Sequence, residues 1–514
     1  MFMKQGWFCI CVLLFAGIAV LLLSHATSLY GVGISSNSTE YIRLARDIVY
    51  NGFQFLGKKE AIYQPPVYPA LLALASVMTG SDPLIAARGL NVVIYAAIVV
   101  LIMLTVRRVT QFLPIIIAMS VLSCFSIPLF NVSSMAWPDP FFVLLVYAIL
   151  FLVTSAAPPS IIGVCLLALL TSFACLTRYA GVVLIPFISA YLLLFGSEGW
   201  LKRLKVAFTF STIASFLFGI FIFKNYLISG TSLGSNYPVL IGYASNITLT
   251  IRTFIRWFLP WHIYSFKTAL FTVSSLIGVF LWCHRHHVIR QFDDSRNVLF
   301  IYTGFFVLFT AFIVWTSTTK SYETSADRLL LPVYPSLIVL FSFVLKPETW
   351  GGRWRSILGV FLFSLLFVVT PFRSVVAEVN NKYIHGAGGY AATEWQRSPL
   401  VDYFKKRGQP ENERIYSNAA DVLYILANVS AQYSPASRDY NSEKSTGLTP
   451  TNLFVRYPYL DGAILVWFDR AGRNYLCTPE ELSIICSVKP ISKFEDGTIY
   501  RIGHATNRIE LNRK

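Results

Sequence analysis

Residues Gly33–Pro69 read GISSNSTEYIRLARDIVYNGFQFLGKKEAIYQPPVYP and form the first long polar stretch of a mostly apolar chain. Within it, apolar residues recur at the spacing of one helix face: Tyr41, Leu44, Ala45, Ile48 and Val49. This spacing predicts a short amphipathic helix, with Asn37 as N-cap, Glu40 at the third position of a capping box and Gly52 as C-cap. Between two membrane spans, such a helix is expected to lie on the bilayer surface.

The composition is that of a polytopic α-helical membrane protein. Of 514 residues, 55% are hydrophobic and 13% are charged, whereas a typical soluble domain has roughly 25% charged residues. The net charge is +16, but residues 373–514 contain 18 Lys and Arg against 15 Asp and Glu. Most of the positive charge therefore lies in the apolar part, where short basic loops set orientation. The charge does not predict nucleic-acid binding.

Apolar runs long enough to cross a bilayer predict about eleven spans. A shorter, proline-containing run at 66–79 is expected to be a re-entrant or interfacial helix, and Met1–Ala26 is expected to be an uncleaved first span. The predicted spans lie near residues 7–26, 84–106, 110–129, 140–156, 159–176, 180–196, 207–228, 267–283, 297–317, 329–345 and 356–372.

Loop charges predict the orientation. With the N-terminus in the cytoplasm, the basic loops fall on the cytoplasmic side: Arg107–Arg108, Lys202–Lys205, Arg285–Arg296 and Lys346–Arg355. The first loop, 27–83, and residues 373–514 then lie outside the cytoplasm. We expect a multi-pass protein of an inner or plasma membrane, or of the endoplasmic reticulum.

The sequence changes character at about residue 373, which divides it into a membrane domain, 1–372, and a small extracytoplasmic α/β domain, 373–514. In the second part helical patterns (Thr393–Arg407, Ala419–Asn428) alternate with strand-like runs at 414–417, 463–468 and 498–502. Cys477 and Cys486 are predicted to form a disulfide if the outer compartment is oxidising.

No motif points to a cofactor. The chain has no CxxC or HExxH sequence, no Walker loop and no GxGxxG. We therefore expect no nucleotide-driven pump and predict no cofactor. A divalent metal is the one cofactor that stays open.

Polar residues cluster at the predicted outer ends of the spans: Asp139, Arg178, Lys224–Asn225 and Asp327–Arg328. A carboxylate at a helix N-terminus is favourable without any chemistry, and a single arginine at a span end commonly reaches for lipid headgroups. Several cations on the side that topology disfavours, facing a carboxylate, instead indicate a site for an anionic lipid phosphate.

In order and spacing, these residues resemble the integral-membrane glycosyltransferases of the GT-C type, which use a polyprenyl-phosphate sugar donor. That group includes lipid A aminoarabinose transferase and the protein O-mannosyltransferases. The resemblance covers roughly residues 7–345. It rests on Ser38-x-x-Tyr41-x-x-x-Ala45, Gly52-Phe53, Pro65-Pro66-Val67-Tyr68-Pro69, Ala86-Ala87-Arg88-Gly89-Leu90-Asn91, Asp139, Thr177-Arg178-Tyr179-Ala180-Gly181, Lys224-Asn225-Tyr226 and Arg328-Leu-Leu-Leu-Pro332-Val-Tyr334-Pro335.

The resemblance implies transfer of a sugar, with inversion, from a polyprenyl-phosphate donor to an extracytoplasmic lipid, glycan or protein, with membrane lipids as surroundings. It implies catalytic roles at Asp139, Glu40 and Asn37 and donor-phosphate binding by Arg178, Arg328 and Lys224. The resemblance also implies that Tyr41, Tyr68 and Asn225 are substrate-loop residues.

The chain departs from the family at Asn37, where an aspartate is usual and is taken to be catalytic. Asparagine is neutral and cannot act as a general base. Glu40 could supply the carboxylate, although the capping box explains Asn37 and Glu40 without chemistry. Two other functions stay open: a catalytically silent relative that binds lipid or serves as a scaffold, and a transporter, which the absence of an internal repeat disfavours.

Overall fold

The computed structural model describes residues 5–52, 64–154, 160–195, 199–230, 241–259, 296–319, 327–347, 352–410, 413–438, 446–449 and 452–504. Its helices up to His385 are α1 Gln5–Ala26, α2 Ser36–Asn51, α3 Val67–Thr79, α4 Pro83–Val109, α5 Leu113–Cys124, α6 Ile127–Ser133, α7 Asp139–Val153, α8 Ile161–Thr177, α9 Leu184–Phe195, α10 Trp200–Ser229, α11 Tyr243–Phe258, α12 Arg296–Thr319, α13 Asp327–Leu330, α14 Tyr334–Val344, α15 Arg353–Phe363 and α16 Val369–His385. Short 3-10 turns, Tyr179–Val183 and Leu331–Val333, precede α9 and α14, and the π-helical segment Ser364–Val368 joins α15 to α16.

The membrane part is confirmed as helical and multi-pass. Within the described residues, seven helical segments are long and apolar enough to cross a bilayer: Gln5–Ala26, Pro83–Val109, Leu113–Ser133, Trp200–Ser229, Asn297–Thr319, Asp327–Val344 and Arg353–His385. Three further predicted spans correspond to apolar helices of 10–17 residues, Asp139–Val153, Ile161–Thr177 and Tyr179–Phe195. The predicted span at 267–283 lies outside the described residues, so the count of eleven stays a prediction.

Helix α2 forms where the amphipathic spacing predicts it, but its cap is different. Ser35 and Ser38 cap it reciprocally: the Ser35 hydroxyl accepts from the Ser38 N–H at 3.2 Å, and the Ser38 hydroxyl accepts from the Ser35 N–H at 3.0 Å. The predicted Asn37–Glu40 capping box is therefore wrong, because the helix begins two residues earlier than that box requires. Gly52 has φ +63°, as its predicted place at the helix end demands.

The apolar face of α2 is covered by protein. Of the predicted face, Tyr41, Leu44 and Ala45 are buried, Ile48 is half-buried, and Val49, near the helix end, is exposed. The expectation that this whole face lies in the headgroup boundary is therefore wrong. The face serves as part of the protein core instead.

The chain forms two structural units. The first comprises the described residues of Met1–Val32, Glu40–Ser235 and Val239–Ala387, and the second comprises Gly33–Thr39 and the described residues of Gly388–Lys514. The predicted domain boundary at residue 373 falls within α16, which continues to His385.

The second unit is an α/β domain built on a five-stranded sheet, as its alternating patterns predict. The strands are β1 Ile415–Ser417, β2 Gln432–Tyr433, β3 Ile464–Phe468, β4 Ser487–Phe494 and β5 Gly497–Gly503, in the order β2-β1-β3-β5-β4. Strand β1 pairs in parallel with β2 and β3, while β5 pairs antiparallel with β3 and β4. Its helices are Thr393–Gln396, Pro399–Arg407, Ala420–Ala427, Leu453–Arg456 and Pro479–Ile485, so the predicted helix 393–407 is two helices, with Pro399 starting the second.

A partly buried polar network lies near the carboxyl ends of the parallel strands. Arg473 donates to Asp421 at 2.7 Å, to the hydroxyl of Ser36 at 3.1 Å and to that of Tyr390 at 3.2 Å. Tyr390 also donates to Asp421 at 2.5 Å. Residues Gly33–Thr39 thus belong to the second unit through side-chain hydrogen bonds as well as through the pairing of Ile34 with Gly389.

The two cysteines of this unit are free thiols in the structure, which corrects the predicted disulfide. Cys477 and Cys486 are 2% and 3% exposed and belong to an apolar cluster beneath the sheet. Burial raises the pKa of Cys477 to about 12 and that of Cys486 to about 11. Because the thiolate is the reactive form, raised pKa values keep both groups inert at neutral pH.

Both cysteines should resist iodoacetamide at pH 8 in the native protein and react only as the pH approaches 11. Peptide mass spectrometry measures the modification, and protein unfolded in guanidinium without reductant is the control. Rapid labelling of the native protein would contradict the burial. Failure of the unfolded protein to label would show that Cys477 and Cys486 form the predicted disulfide.

Candidate active site

The centre of the candidate site is Asp139, which is bound by two arginines from different parts of the chain. One carboxylate oxygen pairs with Arg178, and the other accepts from Nε of Arg328 at 3.0 Å. Asp139 is 2% exposed, and the side chains of Arg178 and Arg328 are 20% and 12% exposed. The sequence predicted cations facing a carboxylate, and the structure brings these three together with a net charge of one positive.

The loop before Asp139 is fixed by a buried asparagine. The Asn91 side chain, on α4, donates to the carbonyls of Ser133 and Met135 at 2.8 and 2.7 Å. Two residues on, the ring of Trp137 lies 4.4 Å from the guanidinium carbon of Arg328. The loop thus places Asp139 at the start of α7 and supplies an aromatic face to one of its arginine partners.

A tyrosine clamp sets the distance between Asp139 and Arg328. Tyr147, on α7, donates to the carbonyl of Pro332 at 2.8 Å and accepts from the N–H of Ser336 at 2.7 Å. Tyr147 follows Asp139 by eight residues, and Ser336 follows Arg328 by eight. The two segments therefore stay in register beside each other, and neither can slide without breaking buried hydrogen bonds.

Arg178 is held by a tight turn. Helix α8 ends there, with the Arg178 backbone extended at φ −145° and ψ 135°, and the Gly181 N–H bonds to the Arg178 carbonyl at 2.8 Å. A Cβ on Gly181 would lie 2.6 Å from backbone atoms of Ala174 and Cys175. The turn therefore needs glycine for close approach, which explains why Gly181 follows Arg178 at this spacing.

Tyr41 and Tyr68, two of the predicted substrate-loop residues, come together in the structure. Their rings meet edge to face, with centroids 5.4 Å apart. Burial raises the pKa of Tyr41, and the nearby charges of Arg328 and Arg178 oppose that shift. Both tyrosines are buried, and Tyr68 is fully enclosed.

Lys224 and Asn225 lie on the last turns of α10. The Asn225 side chain donates to the hydroxyl of Tyr179 at 3.5 Å, so this helix end contacts the residue after Arg178. The Lys224 ammonium lies 4.6 Å from the centre of the Phe221 ring. It is enclosed and has no hydrogen-bond partner among the residues that the structure describes.

Asp327 does not join the cluster, although it neighbours Arg328. It accepts from Arg256 at 2.7 Å and from the Trp257 indole at 2.8 Å, both on α11. Asp327 therefore fixes the start of α13 against α11, while Arg328 points to Asp139.

Glu40 and Asn37 are placed differently from Asp139. Glu40 is half-exposed and bound by Arg43 at 3.0 Å. Asn37 is exposed and belongs to the second unit. The roles predicted for both stay predictions.

The donor set around Asp139 does not suit a divalent metal. Asp139 is bound to two arginines, Glu40 to Arg43 and Asp82 to Arg46. A cation would have to displace a guanidinium in each case. In the described part of the chain there is no group of three or more His, Cys, Asp or Glu side chains that could hold a metal.

One pair was missed by the sequence reasoning. Arg46 donates to both oxygens of Asp82, at 2.8 and 3.1 Å, and Asp82 caps α4 by accepting from the Leu84 N–H. This bidentate pair ties α2 to α4 about one turn beyond Tyr41. The Asp82-Pro83 sequence signals the cap, but nothing in the sequence signals that it pairs with Arg46.

The structure has architectural parallels among solved transferases. No protein-family model and no curated protein matches the sequence. The structure is similar to ArnT from Cupriavidus metallidurans in the apo state (TM-score 0.61, 11% identity, 97% of this chain and 98% of that one). It is also similar to the same protein bound to undecaprenyl phosphate (TM-score 0.59, 12% identity, 97% and 98%).

A third similar structure is the archaeal oligosaccharyltransferase AglB from Archaeoglobus fulgidus, in complex with an inhibitory peptide and a dolichol-phosphate. Its TM-score is 0.53 at 9% identity, over 99% of this chain and 75% of that one. These proteins are GT-C glycosyltransferases. The resemblance predicted from the sequence is confirmed as a shared fold over nearly the whole chain.

Gly181→Ala should destabilise the protein by about 1–3 kcal/mol, because the added methyl forces the turn at Arg178 apart. Gly89→Ala is the matched control, since no heavy atom lies within 4 Å of its Cβ position. Thermal unfolding followed by fluorescence-detected size exclusion should give a lower Tm for the first variant and an equal or higher one for the second. Equal Tm values would show that the turn does not need glycine.

Proposed function

We propose that this protein is a membrane glycosyltransferase that moves a sugar from a polyprenyl-phosphate donor to an extracytoplasmic acceptor. The observation that carries the proposal is the buried cluster of Asp139, Arg178 and Arg328, with the enclosed ammonium of Lys224 on a neighbouring helix end. The shared fold supports it, because two of the similar structures contain undecaprenyl phosphate and dolichol-phosphate.

The charge of the cluster fits that donor. A sugar-phosphate-lipid diester carries one negative charge, and two arginines with one aspartate leave one positive charge. When the sugar departs, the phosphate gains a second negative charge, and Lys224 is the further cation available to stabilise it. Cationic side chains stabilise a growing negative charge most strongly in a site from which water is largely excluded.

The proposed reaction is a single displacement. An acceptor oxygen or nitrogen attacks the anomeric carbon, the bond from that carbon to the phosphate oxygen breaks, and its electron pair stays on polyprenyl phosphate. A base takes the proton that the nucleophile loses, and the configuration at the anomeric carbon inverts.

The two candidate bases, Asp139 and Glu40, differ in their contacts and in their accessibility. Both oxygens of Asp139 are engaged by guanidinium groups, so its present contacts support a role in orienting Arg178 and Arg328. Glu40 is more accessible and has a single arginine partner, which suits a base that must reach the proton of an arriving acceptor. Asn37 offers no basic group, so it is not proposed as a base.

A catalytically silent relative remains the second candidate. It is favoured by the neutral Asn37 and by the arginine partners of Asp139, Glu40 and Asp82. Such a protein would bind the lipid phosphate without turning it over. Purified protein in liposomes, given polyprenyl-phosphate sugars and extracts of acceptor, separates the two by the release of free polyprenyl phosphate.

Arg178→Lys and Arg328→Lys should each lower donor turnover markedly, because lysine keeps the charge but loses the planar fork of donors. The measurement is sugar transfer at equal protein level, with the Ala variants alongside. Arg252→Lys, on the exposed face of α11, serves as the matched control. Full activity in both the Lys and Ala variants would make these arginines headgroup anchors.

Glu40→Gln and Asp139→Asn distinguish the two bases. Loss of a general base lowers turnover by roughly 10²–10⁴-fold and removes the acidic limb of the pH–rate profile. Loss of an arginine-orienting carboxylate instead raises KM for the donor and leaves that limb in place. We expect the first pattern for Glu40→Gln and the second for Asp139→Asn; the reverse pairing makes Asp139 the base. Normal turnover in both variants would refute the mechanism.

A further inference from the structure

The second unit holds residues Gly33–Thr39 at a place where sheets of its kind usually hold a ligand. Its chain passes from β1 to β2 on one side of β1 and then to β3 on the other side, and both neighbours are parallel to β1. In open α/β sheets, ligands bind beyond the carboxyl ends of the strands, where the connections diverge in this way. In this chain, side chains at that place bind Ser36.

Arg473 and Asp421 form the receiving side of this contact. Asp421 lies on the helix that follows β1, and Arg473 lies in the loop that follows β3. Their side chains are 16% and 7% exposed and pair at 2.7 Å, and Arg473 also donates to the carbonyl of Asn418 at 3.0 Å. The nitrogen that pairs with Asp421 donates to the Ser36 hydroxyl as well, at 3.1 Å. The hydroxyl of Tyr390 lies 2.9 Å from that of Ser36 and completes the contact.

The backbone of the segment is fixed beside these side chains. The Tyr390 N–H donates to the Ile34 carbonyl at 2.8 Å, and the Ile34 N–H donates to the Gly388 carbonyl at 3.2 Å. Gly389 has φ +56°, and a Cβ there would overlap the Ile34 carbonyl oxygen. Both the backbone conformation and the close approach therefore require glycine. A side chain at this position would push Ile34 away.

We infer that Arg473, Asp421 and Gly389 are positioning residues, which set the place of Glu40 by holding the first turn of α2. Ser36 and Glu40 lie on this helix one turn apart, so a fixed Ser36 also fixes where Glu40 begins. The inference rests on the proposed function, in which Glu40 is a candidate base, and deepens it by giving the α/β unit a part in the reaction. Misplacing a catalytic group by about 1 Å can cost roughly 100-fold in rate.

Ser36→Ala removes the bound hydroxyl and leaves the pair of Arg473 and Asp421 intact. Its kcat should fall by roughly 10- to 100-fold, because Glu40 loses its fixed position. The KM for the donor should stay unchanged, because the arginines proposed to bind the donor are not altered. Hydrogen exchange should become faster in peptides covering residues 33–41 and stay unchanged in β1, β3 and β5.

Ser483→Ala is the matched control, because Ser483 is an exposed serine of the same unit whose hydroxyl donates to the nearby Glu480 carbonyl at 2.7 Å. It should change neither kcat nor hydrogen exchange at residues 33–41. Gly389→Ala displaces Ile34 instead of removing a side-chain contact. It should reproduce both the faster exchange and the lower kcat, so that the test does not depend on one variant.

A double-mutant cycle shows whether the effect passes through Glu40. If Glu40 is the group that is positioned, Ser36→Ala lowers kcat in the otherwise unaltered protein but has no further effect in the Glu40→Gln background. All variants are measured as purified full-length protein in liposomes at equal protein level, with a polyprenyl-phosphate sugar as donor.

Faster exchange at residues 33–41, a lower kcat and no further effect in the Glu40→Gln background support the inference. Full turnover in both Ser36→Ala and Gly389→Ala would overturn it, and so would independent, multiplying effects of Ser36→Ala and Glu40→Gln. A raised donor KM with unchanged kcat would also overturn it, because the segment would then serve donor binding. If the unaltered protein transfers no sugar, the proposed function itself fails and the inference falls with it.

Discussion

The pairing of one enclosed carboxylate with two arginines is the constraint on which the candidate site depends. Removing three charges from water is costly, and the attraction between them offsets that cost only when the geometry is good and the partners stay together. Asp139 gives one oxygen to each arginine, so neither cation is left alone. Losing the carboxylate would leave two like charges enclosed side by side, which makes Asp139 the residue that allows the arginines to share one site.

Hydrogen bonds and close packing in the surrounding fold hold Asp139, Arg178 and Arg328 in this arrangement. Tyr147 holds α7 beside the segment that carries Arg328, Asn91 fixes the loop before Asp139, and the close approach at Gly181 sets the turn at Arg178. Each of these contacts involves buried backbone groups, which cannot exchange their partners for water. The site is thus assembled from helix ends and loops, but its positions are determined by contacts inside the helical core.

Much of this architecture was predictable from local patterns. Long apolar runs identify most of the helices, alternation identifies strands β1, β3 and β5, and two of the three predicted cations, Arg178 and Arg328, do meet the predicted carboxylate. Three of the failures share a cause, because each depends on partners distant in sequence. Strand β2 has only two residues, the Arg46–Asp82 pair joins residues 36 positions apart, and the burial of the apolar face of α2 depends on what covers it. The cap of α2 failed for a local reason, since Ser35 and Asn37 are both good capping residues.

Holding a carboxylate and binding a phosphate are compatible tasks for the same arginines. A guanidinium has five N–H donors, and the hydrogen bond from Arg328 to Asp139 uses the one at Nε. An arriving phosphate therefore need not displace Asp139, and the net charge of the cluster, one positive, already matches a phosphodiester. The difficulty comes later, when the leaving phosphate gains a second charge that this cluster alone does not balance. Stabilisation that increases as the reaction proceeds is what accelerates a chemical step. In the proposed mechanism, the enclosed ammonium of Lys224 is the further cation that strengthens its contact with the phosphate as the negative charge grows. In that mechanism, Arg178, Arg328 and Asp139 bind the ground state of the lipid donor, and Lys224 favours the departure of the phosphate.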